Sequence, residues 1–215
     1  MPPLSMGVST FFEQRSKRRT VRPQFVIAIL AGIAFALDMG VLYLSLGEAS
    51  VNYGPITFLM MFAYIVVLIS GWVIGTALIY LIARFIGARI QYSIFFRTTG
   101  WALVPLVGTG LCWSAGRYLA LRGIDACSLT SIKCGLSNKV LLSDQVSGVY
   151  SIMATATGEL AFQTLYIAGM VLFVVTGYMW IVVATETSTL TREGATIVVG
   201  IPFLIVAIIA TIFVF

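Results

Sequence analysis

Apolar positions along this chain fall into five long runs, and the polar positions collect between them. The run from Ala49 to Ala83 and the run from Ala195 to Phe215 contain no charged residue at all. Crossing a bilayer core takes roughly 20 apolar helical residues. Only backbone that satisfies its own hydrogen bonds can cross, which here means helices. The pattern therefore predicts an all-α polytopic membrane protein, with spans at about 24–46, 56–83, 98–121, 160–183 and 195–215. These form one membrane domain over 23–215, preceded by a tail at 1–22. Gly47 to Pro55, with Glu48, Asn52 and Gly54, reads as a turn. Thr185 to Gly194 reads as another. The one long loop is 122–158. Near its end Val146, Val149, Tyr150 and Met153 stand at helical spacing, which suits either an interfacial helix or an early start to the fourth span.

Composition agrees with the pattern. Of the residues, 60% are hydrophobic and 10% charged, where a soluble domain carries about 25% charged. The net charge of +5 is unevenly placed. Arg15, Lys17, Arg18, Arg19 and Arg22 cluster just before the first span. Such a run can mean nucleic acid, but beside a span it reads as an anchor to anionic lipid headgroups, with no nucleic-acid partner. If the N-terminus is inside, Arg84, Arg89, Arg97 and Arg192 are inside with that cluster, and Arg117, Arg122, Lys133 and Lys139 are outside. Nine inner against four outer basic residues orients the N-terminus to the cytoplasm and the C-terminus outward. The cell membrane is the expected location. The first 20 residues lack the apolar core of a cleavable signal peptide, so the first span is expected to serve as the insertion signal.

Candidate chemistry is sparse. There is no histidine, hence no Ser-His pair and no usual proton shuttle. No cluster of carboxylates suggests a metal, and no P-loop appears. No cofactor and no enzymatic activity are expected. Asp38 lies within the first span, where a carboxylate costs a few kcal/mol on insertion scales. It could be a proton or ion site, it could pair with Arg117 in the third span, or it could snorkel to the outer headgroups. Cys127 and Cys134 share the outer loop, and on the oxidising side they are candidates for a disulfide. A metal site would need further ligands that the loop lacks. Cys112 reads as a packing residue. Gly71 and Gly75 form a G-x-x-x-G, a close-packing motif of membrane helices. Pro105 is expected to kink the third span, with Gly108 and Gly110 adding flexibility.

Three pieces of sequence resemble the Yip-domain family of Ypt/Rab-interacting membrane proteins, in its short prokaryotic form. Gly100-Trp101-Ala102-Leu103-Val104-Pro105 is similar to the Gly-Tyr-x-x-x-Pro element of that family's third span. The stretch from Trp180 through Thr189-Leu190-Thr191 to Ala195 and Pro202 resembles its aromatic-ended fourth span, polar turn and proline-containing last span. Phe11-Phe12, the basic residues and Arg22-Pro23 resemble the entry to the domain. The family's Asp-Leu-Tyr-Gly-Pro element before the first span is absent. The resemblance implies five spans and a non-enzymatic role in organising membrane proteins or lipid, with another membrane protein or a second copy as partner. The alternative is a small-solute or ion transporter or channel built on Asp38 and the Pro105-kinked span.

Overall fold

The computed structural model describes residues 10, 21–124, 127 and 141–214, with side chains as far as Ile205. The described residues are helical between short turns, and their one β-contact is the bridge between Ile90 and Ser188. The helices are α1 (Arg22–Ser45), α2 (Ser50–Phe85), α3 (Tyr92–Trp101), α4 (Val104–Leu121), α5 (Leu142–Thr157), α6 (Leu160–Thr187) and α7 (Arg192–Val214). Among the described residues three are long and apolar enough to cross a membrane: α1, α2 with the 3-10 turn Gly47–Ala49 before it, and α6.

Several boundaries differ from expectation, each for a local reason. The turn expected at Gly47 to Pro55 is mostly helix, because α2 already begins at Ser50 and takes Pro55 into its second turn. The third span is two helices. α3 ends at Trp101 and α4 begins at Val104, with Ala102 and Leu103 between them. Pro105 thus stands in the first turn of α4, where a missing N–H costs nothing. It starts a helix where a kink was expected. The loop 122–158 contains α5, whose buried face is Gly148, Val149, Ile152, Met153 and Ala156. Tyr150, expected on that face, is exposed. Gly158 and Glu159 separate α5 from α6, so α5 is a helix of its own.

α2 stops by a glycine cap. Gly87 has φ of +85°, a left-handed conformation open to glycine. Its N–H reaches the Arg84 carbonyl at 3.0 Å, and the next N–H, of Ala88, reaches that of Ala83 at 2.9 Å. This pair of bonds satisfies the last carbonyls of the helix. At the other kind of end, Thr191 Oγ1 accepts the Gly194 N–H at 3.2 Å and caps α7.

The chain forms two compact units. The first comprises Met1–Ala31, Leu68–Leu106 and Leu172–Phe213. Its core joins Ala28, Ala31, Trp72, Phe95, Leu103, Trp180, Val183 and Val199. Thr99 Oγ1 accepts the Trp72 indole N–H at 3.2 Å and lies 3.3 Å from Thr76 Oγ1, which ties α3 to α2. Trp72 stacks on Phe96 at 4.5 Å, and Phe25 meets Trp72 edge-on at 5.2 Å. The turn after α2 is fastened to the turn before α7: Arg89 N–H donates to Thr189 Oγ1 at 2.9 Å, and Thr189 N–H to the Arg89 carbonyl at 3.2 Å.

The second unit comprises Gly32–Val67, Val107–Val171 and Val214–Phe215. Its core gathers Met39 and Leu42 from α1, Leu46 from the turn after it, Tyr53 from α2, Leu121 from α4, Val149 and Ile152 from α5, and Phe162 and Tyr166 from α6. Small residues bring helices close here. A Cβ on Gly32 would lie 3.0 Å from the Ile65 Cα, and one on Gly116 would lie 3.1 Å from the Leu165 Cβ. Without a hydrophobic drive inside lipid, such backbone approach and its dispersion contacts hold helices together.

The outer surface of α2 decides the solvent. Only 17% of its most apolar window is buried, against 44% for α1. Phe58, Leu59, Phe62, Val66, Val67, Ile74 and Leu81 are all exposed. Apolar surface of that extent is not stable in water. The chain is a helical membrane protein.

Candidate functional site

Within the second unit, α1 and α4 meet along one line of contacts. On α4 the contacting positions are Gly110, Ser114 and Arg117, spaced four and three residues apart, so they share one helix face. On α1 they are Ala34 and Asp38, one turn apart. A Cβ on Gly110 would sit 2.7 Å from the carbonyl carbon of Ala34 and 2.8 Å from the Phe35 nitrogen. The absent side chain thus lets the two backbones touch. Ser114 Oγ donates across the contact to the Ala34 carbonyl at 3.0 Å, and also has the Gly110 carbonyl of its own helix at 2.8 Å.

One turn further, Arg117 Nε donates to Asp38 Oδ1 at 2.5 Å. Both side chains are buried, 2% and 8% exposed respectively. The pair is sealed by aromatic groups. The Arg117 guanidinium carbon lies 5.2 Å from the Phe162 ring centre, a cation–π distance. Phe162 stacks on Tyr166, and Tyr166 on Trp113. Tyr64 of α2 lies within electrostatic range of both charges. Arg117 Nη1 is buried without a hydrogen-bond partner among the described residues, so the guanidinium is only partly compensated. Asp38 therefore does not snorkel: it is buried and its charge ends on an arginine. Neither cleft at the helix ends is lined by Asp38 or Arg117.

α6 closes this region. Thr109 Oγ1 donates to the Gly169 carbonyl at 3.1 Å, and the Trp113 indole N–H donates to the Tyr166 carbonyl at 3.3 Å. A Cβ on Gly169 would lie 2.4 Å from Trp113 Nε1. Ser114, Gly169 and Phe162 are residues that sequence reasoning missed, and Gly110 was read there as a source of flexibility, not as a contact. Their one legible signal was the spacing of Gly110, Ser114 and Arg117 on a helix face, and a G-x-x-x-S motif is less conspicuous than G-x-x-x-G.

The other singled-out residues fall elsewhere. A Cβ on Gly75 would lie 3.6 Å from the Trp180 ring, an ordinary contact distance, whereas a Cβ on Gly71 would meet nothing within 4 Å. The G-x-x-x-G is thus not one internal contact: only its second glycine packs within its unit, and Gly71 stands on an exposed face. Gly100 is tightly enclosed, its absent Cβ lying 2.5 Å from the Gln24 Cβ and 2.9 Å from Trp72 Cζ2. Arg22 opens α1 and is exposed. Arg15, Lys17, Arg18 and Arg19 lie outside the described residues. Of the candidate disulfide, Cys127 packs against the core of the second unit, and Cys134 lies outside the described residues. Cys112 is a free, half-buried thiol. No three His, Cys, Asp or Glu side chains converge among the described residues. No protein-family model, curated protein or solved structure matches this chain.

Proposed function

We propose that this protein is a non-enzymatic, multi-pass scaffold of the cell membrane that holds another membrane protein, or a second copy of itself, as its Yip-domain resemblance implies. The observation that carries the reading is the closed Asp38–Arg117 pair. Its two buried charges neutralise each other at a helix contact, which is a structural use of intramembrane charge. A transporter site would present its ionisable groups to a cavity or path. The long exposed apolar face of α2, with Gly71 open at its middle, is suited to lipid or to a partner helix. Purification in mild detergent tests the reading. A stable stoichiometric partner or dimer is expected. Proton or ion flux in liposomes that Asp38→Asn abolishes without unfolding the protein would instead establish the transport alternative.

The proposal includes five spans with the N-terminus inside. The basic asymmetry favours it, and so do the Arg89–Thr189 bonds, which join two turns that this topology assigns to one side. Single cysteines engineered into 86–91, in a background lacking the native cysteines, are expected to resist a membrane-impermeant thiol reagent added to intact cells. Rapid labelling from outside would reverse the orientation. The same topology puts 122–158 on the oxidising side, where Cys127 and Cys134 are expected to be joined. Mass spectrometry of non-reduced protein should find the linked peptides, and two free thiols in freshly isolated protein would refute the bridge.

A further inference from the structure

α2 carries more outward apolar length than the helix it follows. Its exposed positions from Val51 to Leu81 are all apolar, Phe62, Val67 and Ile74 among them, and no charge stands between Ala49 and Ala83. At 1.5 Å per residue that face is about 45 Å long. The exposed apolar face of α1, from Phe25 to Leu44, is about 28 Å long and fits a hydrocarbon core of about 30 Å. We propose that the C-terminal end of α2 is covered by the acyl chains of long-chain phospholipid, so that the protein selects a bilayer thicker than the ordinary one along that side. The proposal rests on the membrane reading, not on the scaffold reading.

Three features point to this occupant. The first is where the surplus lies. α1 and α2 are joined only through Leu46 and the 3-10 turn Gly47–Ala49, so they run in opposite directions. In the first unit Phe25 meets Trp72. α1 begins at Arg22, one turn before that contact, whereas α2 continues from Trp72 to Phe85, about 20 Å further. The second is the limit on tilt. Bringing a 45 Å face down to a 30 Å core takes a tilt of about 48°, beyond the roughly 40° that membrane helices reach, and at 40° the face still demands about 34 Å of hydrocarbon. The third is the order of side chains along the surplus. Exposed Ile74, Leu78 and Leu81 come first. Tyr80 follows at the same end, its ring 5.1 Å from that of Tyr92, and Arg84 stands exposed beyond it. Aliphatic, then tyrosine, then cation is the order a lipid meets from chain through glycerol to phosphate. A partner protein would impose no such order along the axis.

Full-length protein reconstituted separately in dimyristoleoyl, dioleoyl and dierucoyl phosphatidylcholine, one headgroup with increasing chain length, tests the proposal. The melting temperature of the wild type is expected to be highest in the dierucoyl lipid. From equimolar mixtures, native mass spectrometry should find that lipid retained about threefold over the dimyristoleoyl one, the scale of a mismatch of several ångströms. These arms need no variant to fold. Leu78→Ser/Leu81→Ser shortens the apolar face and should move the optimum to the dioleoyl lipid. A nitroxide attached at Leu81→Cys, in a background lacking the native cysteines, should meet oxygen more than a water-soluble nickel chelate in the dierucoyl lipid, and the reverse in the dimyristoleoyl lipid. Equal stability and equal retention across the lipids would overturn the proposal. A nitroxide that meets the nickel chelate in all three lipids would overturn it by leaving the end of α2 in water. One shielded from both reagents in all three would overturn it by placing protein there. Protein that inserts into every bilayer yet shows no preference defeats the thickness selection alone; protein that inserts into none defeats the membrane reading.

Discussion

Arg117→Leu is expected to cost about 3–5 kcal/mol of stability in detergent, because it leaves the Asp38 carboxylate buried without its counter-charge. Asp38→Leu should cost a similar amount by stranding the guanidinium, which already has one unpartnered nitrogen. The double substitution Asp38→Leu/Arg117→Leu is expected to lie much nearer the wild type, because taking both charges out of a low-dielectric site removes two desolvation penalties together with their attraction. The coupling between the two sites, measured by thermal or denaturant unfolding of the four proteins, should thus be several kcal/mol. Additive losses would mean that the pair carries no mutual energy and that the 2.5 Å contact is incidental. Asp38→Asn belongs to the same series. It should lower the melting temperature and preserve partner binding in whatever protein remains folded.

Gly110→Val is expected to be the most damaging uncharged substitution in the second unit. Its Cβ would fall 2.7 Å from backbone carbon of Ala34, and a helix backbone cannot rotate away as a side chain can. α1 and α4 must separate, which lengthens the Ser114–Ala34 bond and strains the Asp38–Arg117 contact one turn on. Gly110→Ala alone should cost about 1–3 kcal/mol by overpacking, and the two γ-methyls of valine should add to that. Gly71→Ala is the matched control. Open space surrounds that position, so alanine should be neutral or stabilise by up to about 1 kcal/mol through helix propensity. Comparable melting temperatures for Gly110→Ala and Gly71→Ala would contradict the close contact. A Gly71 variant that folds normally but loses its partner would show that the exposed face of α2 is the docking surface.

The most prominent motif in the sequence was therefore the less informative one. Gly71 and Gly75 stand out because both are glycine at a familiar spacing, yet each helix face acquires meaning from what lies opposite it. Gly110 was read as a source of flexibility. It is the point of closest approach, and only the position of Ala34 on another helix reveals that. Pro105 shows the same limit. A proline within an apolar run is compatible with a bent helix or with a new helix starting one residue earlier, and the choice depends on whether Ala102 and Leu103 find buried places between the two segments, as they do here. The Asp38–Arg117 pairing was legible in part. Two opposite charges in spans are expensive apart, so a partnership was worth expecting. Their helix face, their aromatic cover and the unpartnered nitrogen were not.

The helical, membrane-embedded character of this chain was determined by sequence alone. It depends on length and hydropathy along single segments, and backbone hydrogen bonding in lipid leaves no other solution. Tertiary structure decided everything that requires two segments at once: the split of 98–121 into α3 and α4, the separate helix within 122–158, and the α1–α4 contact. The physical reason is that inside a bilayer nearly every span is equally apolar on all sides, so hydropathy no longer distinguishes the face that packs from the face that meets lipid. Shape makes that distinction, through small residues and close backbone approach, and shape emerges only when the helices are brought together.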